Sequence, residues 1–113
     1  MLKPSKKYLR NKCDKLFSAF IRSKGRCEWC GSTQNLQCAH IMTRGIIKLR
    51  YEPENTLCLC AGCHFKAHQR PIAFAEWVKG YKGAVAYKRL IREANNLKPI
   101  TIKFYQEILE SLE

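Results

Sequence analysis

The sequence predicts a small α+β fold, with a cysteine-framed centre between helical ends. Three observations carry this. Apolar residues recur at helical spacing near both termini, Leu36–Ile41 has the composition of a short strand, and two Cys-x2-Cys pairs bracket the middle. A chain of 113 residues suits one domain, 1–113, that buries only about two-thirds of its unfolded surface. No repeat, linker or low-complexity run divides it.

Residues 5–24 are expected to form a helix. Ser5 can cap its start, Leu9, Cys13, Leu16, Phe17, Phe20 and Ile21 make an apolar stripe, and Gly25 offers a stop. The opposite face carries Lys6, Lys7, Arg10, Lys15, Arg22 and Lys24. Cys27-Glu28-Trp29-Cys30-Gly31 follows as a tight turn. In the strand, alternation puts Cys38 and His40 on one face. A basic loop with Arg44, Gly45, Lys48 and Arg50 comes next, and Pro53 argues against a continuous strand after it. Cys58–Cys63 reads as a second cysteine turn entering a short helix with His64 and His68, limited by Pro71. The remainder, 72–112, is helical in three pieces: Ile72–Lys79, Ala84–Ala94, and a third that Thr101 can cap, with Ile102, Tyr105, Leu109 and Leu112 as its stripe. Phe74, Trp77, Val78, Val85, Leu90 and Ile91 are the expected core of this part.

The charge is one-sided. There are 21 Lys and Arg against 9 Asp and Glu, and the first fifty residues hold 12 of those cations with only Asp14 and Glu28 opposing them. Like charges oppose compaction, so such a field points to a polyanionic partner, most simply nucleic acid. No apolar run approaches the roughly 20 residues needed to cross a bilayer, and the first residues lack a signal-peptide core. A membrane partner and a secreted disulfide scaffold are therefore not expected; a cytoplasmic protein is.

Cys27, Cys30, Cys60 and Cys63 form two chelating hairpins. Two residues between thiolates let one ion take both sulfurs, and two such hairpins complete a tetrahedral structural Zn2+ site. The alternative set Cys27, Cys30, His64 and His68 needs 33 residues between Cys30 and His64, against a spacer of about 12 in a classical finger. It would also strand Cys60 and Cys63. Cys13 and Cys58 are left as small core residues. The three histidines, His40, His64 and His68, all fall near this frame, and His64 and His68 are four residues apart on one helix face, a spacing that suits one divalent metal.

His40-Ile41, then Asn55, then Cys60-Ala61-Gly62-Cys63-His64 resembles the zinc-stabilised form of the HNH, or ββα-metal (His-Me finger), nuclease motif. Leu36–Ile41, Leu49-Arg50-Tyr51 and Trp77 look like small phage proteins similar to NinG-like recombination endonucleases. The resemblance covers about residues 26–78 and implies a zinc-stabilised HNH core at 26–70. It implies that His40 is the general base, that Asn55 orients its imidazole or approaches the metal, and that His64 and His68 bind a catalytic divalent ion, Mg2+, Mn2+ or another. Ala39 departs from the pattern, because many relatives have a metal-binding Asp or His there; Cys38 is a poor substitute for Mg2+. Arg44, Lys48 and Arg50, with Arg50 best placed, and Lys6, Lys7 and Arg10 on the helix are the expected phosphate contacts.

The implied function is an HNH endonuclease that hydrolyses DNA phosphodiester bonds with a His-activated water and one metal, on branched or recombination DNA if the NinG similarity extends so far. A phage or prophage protein in a bacterial host is implied as well. The alternative is a non-catalytic zinc-containing DNA-binding module. A two-metal carboxylate nuclease is disfavoured, since Asp14 is the only Asp. No aromatic platform for single-stranded RNA is evident. Monomer and homodimer stay open.

Overall fold

The computed structural model describes residues 4–113, so the first three residues of the expected domain lie outside it. The first helix, α1 (Lys6–Arg22), starts where Ser5 Oγ accepts from the Tyr8 amide at 3.1 Å. It ends two residues earlier than the sequence suggests, with Ser23 as its cap; Gly25, at φ +75°, turns the chain just beyond. Leu9, Cys13, Phe17 and Ile21 are its buried stripe, spaced by four residues. Phe20, expected on that stripe, is 51% exposed.

Two strands form the sheet. β1 (Leu36–His40) pairs antiparallel with β2 (Thr56–Cys60), His40 opposite Thr56 and Leu36 opposite Cys60. The sequence suggests only a cysteine turn at β2. Its residues from Thr56 to Leu59 are all buried, so no polar alternation marks it as a strand. Between the strands, the basic loop contains a single helical turn, α2 (Ile47–Arg50), and a 3-10 turn at Pro53–Asn55.

Four helices follow: α3 (Ala61–Gln69), α4 (Pro71–Lys82), α5 (Ala84–Ala94) and α6 (Ile102–Leu112). α4 runs through Gly80, three residues beyond the expected end, and stops at Gly83, whose φ of +95° suits glycine. The sheet is covered on both faces. On one side Cys58 packs with Leu9, Phe17, Ile21 and Tyr51, and Tyr105 and Leu109 of α6 close that layer. On the other, Leu57 and Leu59 pack with Ala39, Ala67 and Val78. Cys13 and Cys58 are core residues, as expected. Val78 and Leu90 are fully buried and Phe74 and Trp77 partly so, but Val85 is 86% and Ile91 42% exposed, against expectation. α5 buries little beyond Leu90. It is held instead by Arg89, which donates to Glu52 and Glu54 at 2.9 and 2.8 Å.

Candidate functional site

The local chain geometry makes the cysteine cluster. At the first hairpin the Gly31 amide bonds back to the Cys27 carbonyl at 2.9 Å, and Gly31 has φ +82°, which its missing Cβ permits. The second hairpin is the junction of β2 and α3, where Cys60 caps the helix and accepts from the Cys63 amide at 3.4 Å. The Cys30 amide lies 3.5 Å from the Cys27 sulfur in the matching way. All four sulfurs fall within 4.8 Å of one another, and Cys30 and Cys60 are 3.7 Å apart. A tetrahedron with metal–sulfur bonds of about 2.3 Å has edges of about 3.8 Å. The donor set fits a structural metal such as Zn2+. Burial would raise the Cys27 thiol, but backbone amides of Cys60, Cys30 and Trp29 outweigh it and bring it down to about 6, so thiolate is favoured there. Burial and the neighbouring sulfurs push Cys63 up instead. One sulfur thus takes the negative charge first, as expected for four crowded thiols before a cation neutralises them.

Glu28, which sequence reasoning did not single out, fastens this hairpin to the sheet. Its carboxylate accepts from the Cys58 amide at 2.7 Å, from Tyr81 at 2.8 Å and from Lys24 at 3.1 Å. Nearby, Trp29, Trp77 and Tyr81 stack at centroid spacings of 4.8 and 4.9 Å, with Lys66 over Trp29. Trp77 and Tyr81 are one turn apart on α4, but the sequence pattern did not reveal that Trp29, far away in the chain, stacks on them.

A cleft of about 750 Å3 opens between α1, β1, the loop before α2, and α3. His40, His64 and His68 all line it, with Lys15, Arg44 and Arg50. His40 Nε2 lies 2.9 Å from the Arg50 carbonyl oxygen. A carbonyl only accepts, so Nε2 carries the proton and Nδ1 keeps its lone pair. Burial, and then the Arg44 and Arg50 charges, hold the His40 pKa below its ordinary value; the Arg50 carbonyl and Asp14 only partly oppose them. Neutral imidazole is therefore its form at neutral pH.

His64 and His68 stand one turn apart on α3, ring centroids 5.1 Å apart. His64 Nδ1 donates to Gln37 Oε1 at 2.7 Å, leaving the Nε2 lone pair as an atom that could take a ligand. Gln37 gave no signal in the sequence; it meets His64 only through the packing of β1 on α3. Burial, then the His68 charge, lowers the His64 pKa, which favours the neutral imidazole.

The structure redistributes the other expected site residues. Asn55 is fully buried, and its amide does not reach toward the His40 ring. Oδ1 accepts from the Met42 amide at 2.7 Å, while Nδ2 donates to the carbonyls of Met42 and Leu49 at 3.2 and 3.0 Å. Asn55 thereby shapes the loop that carries the Arg50 carbonyl. Arg50 is turned away from the role of a free phosphate grip: Nε and Nη2 donate to the two Asp14 oxygens at 2.8 and 2.6 Å. Lys48 is likewise engaged, with Glu93 at 2.5 Å and the Asn96 carbonyl at 2.9 Å. Arg44 reaches Asp14 only at 3.3 Å, and its side chain is 59% exposed. Lys6 and Lys7 are exposed and Arg10 half-buried. Lys7 lies two turns before Asp14, on the α1 stripe that borders the cleft.

Compared with known proteins, the chain matches no family model, no curated protein and no solved structure. Fold and site together define a small α+β protein with a four-cysteine cluster able to hold a structural metal such as zinc. Among the described residues, no helix is long and apolar enough to cross a membrane.

Proposed function

We propose that the protein is an HNH-type, metal-dependent endonuclease that hydrolyses phosphodiester bonds in DNA. The observation that carries this reading is the His40 imidazole, protonated on Nε2 by its bond to the Arg50 carbonyl so that Nδ1 keeps its lone pair, on a residue that lines the same cleft as His64 and His68. A neutral imidazole so placed removes a proton from water. The hydroxide attacks phosphorus and the bond to the 3′-oxygen breaks; that oxygen takes a proton from solvent water and His40 returns its own to solvent, giving a 5′-phosphate and a 3′-hydroxyl. His64 through Nε2, with His68, would hold a divalent cation whose charge stabilises the departing oxygen. With Ala39 in place of a further ligand, two nitrogens suit Mn2+ and later transition metals better than Mg2+. Arg44, Lys15 and the Lys6, Lys7 and Arg10 end of α1 are the cations available to DNA phosphates.

Plasmid nicking in Mn2+ or Mg2+ tests the base. His40→Ala should lose at least about a hundredfold in rate, within the range for a general base, while keeping its zinc. Cleavage that survives the substitution would refute the assignment of His40. The second reading, a zinc-containing module that binds DNA without cutting it, draws on the small ligand set at His64 and His68. It would be favoured if the wild-type protein binds DNA and leaves it intact with every divalent ion tried.

A further inference from the structure

We infer that Asp14 is a positioning residue for His40, acting from α1 through Arg50. The inference rests on the reading of His40 as the base. Asp14 does not touch the imidazole. Its two oxygens take a bidentate pair of bonds from Arg50, at 2.8 and 2.6 Å, and Oδ1 also accepts from Tyr51 at 2.8 Å. The link to the ring runs through the Arg50 backbone. Arg50 places its own carbonyl 2.9 Å from His40 Nε2, and its Nη1 donates to the Arg44 carbonyl at 3.3 Å. The fork therefore holds both ends of the segment from Arg44 to Arg50 against α1.

A loop carbonyl is a weak orienting group unless the loop itself is fixed, because a backbone free to rotate lets the ring choose either tautomer. Here a planar guanidinium locked by two parallel bonds fixes it. The Arg50 side chain is 13% exposed and that of Asp14 24%, so water competes little for these bonds. Burial would raise the Asp14 pKa, but the Arg50 and Tyr51 donors, with the Arg50 and Arg44 charges, hold it below its usual range; the carboxylate stays charged across neutral pH. The only Asp in a strongly basic chain is thereby committed to one segment of loop. It comes from the N-terminal helix, so the ββα unit alone would lack it.

The His40 tautomer can be read directly, without DNA, by long-range proton–nitrogen NMR on the zinc-loaded protein. Wild type should show the Nε2–H form alone. Asp14→Asn keeps the shape but turns one oxygen into a donor that faces Arg50. Both tautomers should then appear, and kcat for DNA cleavage should fall about tenfold with KM changed less than about twofold, as misplacement of a reacting group predicts. Arg50→Lys keeps the carbonyl and the charge but loses the fork, so it should act alike; if Asp14→Asn does not fold, it carries the test. The double variant should be no worse than either single one, because both cut the same link. An unchanged tautomer and kcat in a variant that holds zinc and keeps the wild-type circular dichroism would overturn the inference. So would tautomer mixing that appears only together with zinc loss. A shifted tautomer in a protein that cuts no DNA supports the link from Asp14 to His40 and removes the nuclease reading alone.

Discussion

His40 has a pH dependence whose sign follows from its surroundings. In the unfolded chain an imidazole titrates at its ordinary 6.5, whereas burial and two arginines lower the value in the fold. The unfolded state thus binds the proton first as pH falls. The stability contributed by neutral His40 is complete above about 6.5 and is lost as pH falls through the folded value. The acidic limb of kcat/KM for cleavage should lie below 6.5 for the same reason, measured with metal held saturating. A limb above 6.5 would mean another group is titrating. Asn55 makes a separate prediction. Asn55→Ala removes three bonds and leaves the Met42 amide and carbonyl without this partner, while the Leu49 carbonyl keeps the Glu52 amide at 3.2 Å, so urea melts should show a loss of about 2 kcal/mol. These roles were only partly legible in the sequence. That three histidines cluster near the cysteines is visible in their order along the chain. That Asp14 reaches Arg50, 36 residues away, or that Gln37 meets His64, depends on tertiary packing that no local pattern encodes.

Helices announced themselves by periodicity and caps. Thr101 accepts from the Phe104 amide at 3.2 Å, and Tyr105 and Leu109 are the buried stripe below it. Thr101→Ala should cost about 1 kcal/mol, read from a thermal or urea melt, since the orphan amide of α6 then loses its partner. A change near zero would mean that water replaces the cap without loss. The second strand was harder to see. Cys58 faces α1 while Leu57 and Leu59 face α3 and α4, so both faces are apolar and the period of two disappears. α2 is a single turn, too short for a helical pattern to register. Val85 and Ile91 stand five and one residues from Leu90, the buried residue of α5, and so fall off its inward face.

At the scale of the molecule, the cysteine cluster links the two halves of the ββα unit: Cys27 and Cys30 precede β1, Cys60 and Cys63 join β2 to α3. Cys63→Ser, or strong chelation, should abolish binding of one zinc per chain and collapse the near-ultraviolet circular dichroism of the Trp29–Trp77 stack. A native spectrum without metal would show that packing alone suffices. The cysteine frame is legible in the sequence because ligand geometry dictates its spacing. The one-sided charge is legible too, and DNA affinity should fall steeply with salt, with a log–log slope of roughly −0.9 per phosphate contact. The fate of individual cations is not, since Lys48 and Arg50 find acidic partners only through the fold.

The most direct measurement is the rate of DNA cleavage by wild type and His64→Ala, both loaded with one zinc per chain, in the presence of Mn2+. Wild type should release 5′-phosphate ends, and His64→Ala should be slower by about a hundredfold or more at unchanged zinc content. Equal rates for the two proteins, or a wild type that leaves DNA whole, would contradict a catalytic metal at α3.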